Sequence, residues 1–292
     1  MTVTLVDEHF VKLKSNLEIT KSESQLASRR QNEIRDHVGA HLTLDRTFLT
    51  GSYARHTKTK KLKDVDIFCV VKADGLDADL RELSPWDALT RLQHILAEKY
   101  TSPAPTIGRR CCSVQFSSED DVPSFDVVLA FDRAGGGYEI PDRFASDWIA
   151  TDPEIHKTEA TDKNAACDGK WIPVVKMIKG FNREWDKPVR PSFLLEVMAL
   201  ELIRPPFTRY QDEIVLFLAN AAERVTESWP DPAGLGPDVN SSMNHHEKTT
   251  AASRLRDALA VAERAVALED DGNERAAIDA WREFFGRRMP AP

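Results

Sequence analysis

The chain has 292 residues, 41% hydrophobic and 29% charged, with a formal net charge of -8, enough to bury a sizeable core in one large domain or two modest ones. No apolar run approaches the ~20 residues that span a bilayer, and MTVTLVDEHF lacks the basic-then-apolar order of a secretion signal, so a cytoplasmic protein with no membrane association is expected. The acidic balance argues against extensive coating of duplex nucleic acid, whose non-specific affinity comes from neutralised phosphates, and leaves local basic patches free to hold nucleotides.

Residues 5–42 carry apolar side chains at helical spacing, with neither Gly nor Pro before Gly39, which predicts one long spine helix whose weakest point is residues 19–24. Arg29 and Arg30 fall on its polar side, facing solvent or a nucleotide. A strand over 47–50 then leads into a Gly51-Ser52 turn, a basic loop and a second strand, DVDIF from Asp64. Strand side chains alternate between faces, so Asp64 and Asp66 project together while Val65 and Ile67 enter the core. Glycine lets backbone amides approach a phosphate, a serine hydroxyl can donate to one, and paired carboxylates suit hard, oxygen-seeking Mg²⁺. The intervening KTKKLK, residues 58–63, reads equally as a solvated charge run and as a phosphate-steering lip.

Residues 85–100 predict an amphipathic helix with Pro85 at its start and His94 on its surface. IGRRCCSVQFSS, residues 107–118, predicts a strand. DDVPSFDVVLAFD, residues 120–132, predicts another, in which Asp126 precedes an apolar run and is the candidate third acid; Asp132 and Asp121 are lesser competitors. Residues 133–169, with Gly135, Gly136 and Gly137 in a row, read as turn-rich and irregular, and the domain boundary is placed there: 1–155 and 156–292. Beyond it Trp171, Val174, Val175, Ile178 and Phe181 mark the apolar face of a helix from which Lys176 and Lys179 stand off. Pro191-Ser192 opens a further helix whose free amides favour anions, and Phe193 either stacks on a base or is buried in a helical core. The remainder reads as helices with a Gly/Pro-rich link over 229–240, and Trp281, Phe284 and Phe285 as packing residues. Cys69, Cys111, Cys112 and Cys167 form no metal-binding spacing and read as packing residues; a zinc site that adds His245 and His246 is the weaker alternative.

Gly-Ser, eleven residues (53–63) and then Asp-Val-Asp resembles the nucleotidyltransferase signature of the polymerase-beta superfamily, and FDVVLAF resembles its third-acid strand. WIPVVKMIKGFNREW followed by RPSFLLEVMALELI resembles the second half of the oligoadenylate synthase and cyclic GMP-AMP synthase families. The C-terminal pattern ending in AIDAWREFFG resembles the bacterial cyclic-oligonucleotide synthases (CD-NTases) of CBASS anti-phage defence. The resemblance implies an α+β fold, a polymerase-beta-like mixed sheet with flanking helices and an α-helical C-terminal lobe. It implies a template-independent nucleotidyltransferase that makes a cyclic di- or trinucleotide from NTPs, ATP expected among them, with release of pyrophosphate. The alternatives are a linear oligonucleotide synthase and a catalytically silent nucleotide-binding regulator. By the same resemblance Asp64, Asp66 and Asp126 hold two Mg²⁺ ions (or Mn²⁺), and Gly51, Ser52, Lys176 and Ser192 contact nucleotide phosphates. Phe193 stands where the family has a base-stacking tyrosine, which keeps the ring and loses the hydroxyl. A regulatory HORMA-type or conjugating partner is implied by the family alone, and extended nucleic-acid binding is not required.

Overall fold

The computed structural model describes residues 3–116 and 123–292, so the expectation placed on Asp121 lies outside the described residues. The chain divides into two compact units, Ile19–Lys157 on one hand and Met1–Glu18 with Thr158–Pro292 on the other. The boundary expected near residue 155 therefore falls two residues later, inside a helix, and the first 18 residues leave the unit to which sequence reading assigned them.

The expected spine is two helices, α1 (Leu5–Leu17) and α2 (Lys21–His41). Glu18 takes an extended conformation, and Thr20 restarts the helix with a capping box: its hydroxyl accepts from the Glu23 N–H while the Glu23 carboxylate accepts from the Thr20 N–H at 2.7 Å.

In the unit Ile19–Lys157, β1 (Leu44–Thr50), β2 (Asp64–Val71), β5 (Ser124–Asp132), β4 (Cys112–Val114) and β3 (Thr106–Ile107) lie side by side in that order. β2 and β5 run parallel, and the other pairs are antiparallel. Between β1 and β2 the Gly51-Ser52 turn tightens into one helical turn, α3 (Gly51–Ala54). Alternation sends Val65, Ile67 and Cys69 of β2 with Phe125, Val127 and Leu129 of β5 to the face covered by α2 and α4 (Pro85–Ala97). Phe68, Val70, Val128 and Ala130 line the opposite face with Tyr138 and Ile140.

Those last two residues correct the expectation of an irregular segment. Residues 138–142 and 147–151 form β6 (Tyr138–Asp142) and β7 (Asp147–Thr151), and α5 runs over Pro153–Ala166. The glycines supply the tight turn before β6, with φ of 89° at Gly136 and 69° at Gly137. Alternating Tyr138 and Ile140 then give these short strands a buried side on the second face of the sheet.

The helical unit gathers α1, the rest of α5, α6 (Trp171–Glu184), α7 (Ser192–Leu202), α8 (Tyr210–Arg224), α9 (His245–Asp270) and α10 (Glu274–Phe285). Its core is aromatic. Phe10 of α1 meets Trp281 edge-on at 5.1 Å and Phe285 at 6.0 Å, and Phe181 stacks on Phe284 at 4.7 Å. Val6, Phe10, Leu13 and Leu17 are all buried in this cluster, which is the physical reason that α1 belongs with the C-terminal helices. No helix of the described residues is long and apolar enough to cross a membrane.

Candidate active site

The parallel pairing of β2 with β5 sets Asp66 directly opposite Asp126 and Asp64 opposite Ser124. All three acids project from the face that carries Phe68 and Val128, at the N-terminal ends of their strands, ahead of the apolar cluster. Asp66 is the enclosed member. Burial first, then repulsion from Asp126 and Asp64, pushes its carboxyl up to about 6, while Lys58 and Arg55 act in the opposite sense.

Gly51 closes one side of this group. Its φ is +65°, and a Cβ built there would lie 1.8 Å from Asp66 Oδ2, so both backbone conformation and space demand glycine. The Ser52 carbonyl accepts from the Thr57 and Lys58 N–H groups, each at 3.0 Å, which curls the loop back and brings Lys58 Nζ to 2.7 Å from Asp64 Oδ2. Lys58 is buried with its neighbours Thr57 and Thr59, so at this lysine the loop is neither a solvated charge run nor an open lip. Across β5, Ser113 faces Asp126 in register and donates its hydroxyl to Asp126 Oδ1. Lys58 and Ser113 had no individual signal in the sequence: one was averaged into a lysine run, the other sits in an unremarkable strand.

With Asp64 turned to Lys58 and Asp126 to Ser113, no three His, Cys, Asp or Glu side chains among the described residues close into a formed metal site. The chemistry of the donors nevertheless fits divalent Mg²⁺ or Mn²⁺. They are oxygen-only, crowded and mutually repelling, and a hard cation neutralises that repulsion. Of the competitors, Asp132 lies at the far end of β5, where Arg46 holds it through contacts of 2.6 and 2.9 Å. The zinc alternative has no support among the described residues, and Cys69, Cys111, Cys112 and Cys167 are free thiols.

The remaining predicted residues belong to the helical unit. Lys176 and Lys179 do not stand off α6; both are buried, a correction to the reading of that face. Lys176 Nζ lies 2.5 Å from Glu18 Oε2, and Lys179 Nζ lies 2.6 Å from Glu196 Oε1 of α7. Burying an ammonium is unfavourable unless it is paired, and each lysine has a carboxylate. Ser192 is the first residue of α7 and exposed, with Pro191 at the N-cap. Phe193 is half-buried and packs against the helical core.

A mixed sheet that sets paired carboxylates on parallel neighbours behind a Gly-Ser turn has the fold of the nucleotidyltransferases related to cyclic GMP-AMP synthase. Residues 2–164 match the Second Messenger Oligonucleotide or Dinucleotide Synthetase domain, and the chain belongs to that enzyme family. A cyclic AMP-AMP-AMP synthase of Acinetobacter sp. (strain ATCC 27244 / 9458) is 25% identical over 311 residues, covering 99% of this chain and 86% of its own. Among solved structures, the CD-NTase CdnG of Bradyrhizobium diazoefficiens in complex with GTP superposes with a TM-score of 0.76 at 16% identity, covering 98% of this chain and 97% of that one. CdnC of E. coli MS115-1, in its complex with HORMA-deltaN, gives 0.76 at 14% identity over 97% and 98%.

Proposed function

We propose that this chain joins nucleoside triphosphates into a cyclic di- or trinucleotide second messenger for anti-phage signalling in the bacterial cytoplasm. The observation that carries this reading is the register of Asp66 on Asp126, with Asp64 on the same face and Gly51 pressed against Asp66. A ribose hydroxyl oxygen attacks the α-phosphorus of a second nucleotide, the bond to the bridging oxygen breaks, and pyrophosphate leaves. Asp64, Asp66 and Asp126 are the residues that would hold two Mg²⁺ ions, or Mn²⁺, which when bound stabilise the attacking and leaving oxygens of such a displacement. Gly51 and Ser52 present backbone and hydroxyl donors to a phosphate. Lys176, which is paired with Glu18, and Ser192 are carried by the family resemblance alone as triphosphate contacts, and Phe193 as the base-stacking residue.

ATP is the first substrate to try, since the similar Acinetobacter protein is a cyclic AMP-AMP-AMP synthase and CdnC has been solved with ATP. A HORMA-domain protein is the regulatory partner to test, by likeness to the CdnC complex. Incubation of the purified chain with all four NTPs and Mg²⁺, followed by phosphatase and mass analysis, is expected to leave a phosphatase-resistant cyclic product. Linear products would favour an oligonucleotide synthase. Turnover that survives Asp64→Ala combined with Asp66→Ala would remove the acids from the chemistry altogether.

A further inference from the structure

The turn between β6 and β7 presents a feature that the nucleotidyltransferase reaction does not use. Phe144 at its tip is 68% exposed and Trp86, in the first turn of α4, is 51% exposed, both high for large aromatic side chains. Two arginines stand among them. The Arg109 guanidinium lies 5.5 Å from the Phe144 ring centre, and that of Arg143 lies 5.2 Å from Phe144 and 5.6 Å from Trp86. Cation and ring thus alternate along the surface in the order Arg109, Phe144, Arg143, Trp86.

This ladder is built rather than accidental. Buried Asp142 accepts from Arg109 Nε at 2.9 Å and from Arg110 Nε at 2.8 Å, and also from the backbone N–H groups of Phe144 and Ala145. The Arg143 N–H donates to the Arg109 carbonyl at 3.1 Å, tying this turn to the one between β3 and β4. One carboxylate serves two arginines. Arg143 has no carboxylate partner among the described residues, and its Nε is enclosed without a hydrogen bond. Arg109, Arg110 and Arg143 outnumber the two carboxylates that flank the turn, Asp142 and Asp147, by one on a chain whose formal charge is -8, and Asp87 beside Trp86 accepts from the Ser84 hydroxyl.

We propose that this surface binds a short single-stranded nucleic acid, bases stacking on Phe144 and Trp86 and phosphates meeting Arg143 and Arg110. Flat rings interleaved with cations match alternating bases and phosphates, because every base has a face to stack and every linkage a negative charge. A duplex hides its base faces, and an acidic peptide supplies charge but leaves both rings uncovered. Neither satisfies the whole patch.

Anisotropy of a labelled ~12-nucleotide oligouridylate, titrated at low salt with the full chain, tests this. Saturable binding is expected, with Phe144→Ala and Trp86→Ala each weakening it about tenfold, and Phe144→Trp, which keeps a ring, retaining it. Arg143→Ala is expected to lower the slope of log affinity against log salt by about one. Both aromatic positions are exposed, and unchanged thermal unfolding of the variants establishes that the effect is local. Absence of binding, equal binding by wild type and the Phe144 and Trp86 variants, or displacement by polyglutamate as effective as by unlabelled oligonucleotide would each overturn the proposal. Tighter binding of the matching duplex would do the same.

Discussion

Gly51 and Asp142 are the two positions where a single atom decides most. Gly51→Ala places a methyl on Asp66 and imposes a left-handed conformation on an L-residue; a loss of about 1–3 kcal/mol in urea unfolding is expected, together with loss of pyrophosphate release. The side chain of Asp142 is fully buried between Arg109 and Arg110. Burial alone would raise its carboxyl, but the hydrogen bonds and charge of the two arginines outweigh it and hold the pKa well below the usual 3.8. A depressed pKa means that its contribution to stability is fully present above the unfolded value and fades as pH falls below it. Melting curves from pH 7 to pH 3 are expected to show a steeper decline for wild type than for Asp142→Asn, whose stability at pH 7 is lower by about 1–3 kcal/mol. At this scale the sequence was legible where spacing carries chemistry, as in Gly51, Asp64, Asp66 and Asp126. It was opaque where a role depends on a partner distant in the chain, as for Lys58 on Asp64 or Ser113 on Asp126.

Between elements, the buried pair of Lys179 on α6 and Glu196 on α7 fixes how two helices meet. Desolvation offsets much of the attraction of such a pair, so its removal as a unit is mild while removal of one partner strands a charge. Glu196→Leu alone is expected to destabilise by about 3–5 kcal/mol in urea unfolding, and adding Lys179→Met to recover most of that. A double variant as unstable as the single one would refute the coupling. Helical periodicity located α4 and α6 because a stripe of large apolar side chains repeats there, and the Pro191-Ser192 start located α7. The same periodicity misplaced both lysines of α6, since a helix buried on several sides carries polar groups inward wherever another helix offers a carboxylate. β6 and β7 were missed for a related reason: five-residue strands interrupted by Pro141 and bounded by glycines and aspartates look like turns until a sheet edge is present to pair with them.

At the scale of the whole molecule, the family resemblance carried by the order of the motifs was enough for the fold class. The assignment of α1 was not, because nothing within residues 5–17 names the partner of their apolar side. Phe10→Ala should cost about 3–5 kcal/mol, with hydrogen exchange accelerated in α6 and α10 and unchanged in β2 and β5. Protection lost first in the sheet would place α1 with the wrong unit. The route of the chain has a further consequence, in time rather than in space. The Leu5 N–H donates to Glu274 across 269 residues of sequence, and the whole sheet unit is synthesised between them. At ~5–20 residues per second, α1 waits on the order of tens of seconds with Phe10, Leu13 and Leu17 uncovered, while the sheet that follows it can already fold. Helix α1 is therefore made before the sheet unit and buried after it, and a chain cut short before α10 keeps that apolar face open to chaperones and proteases.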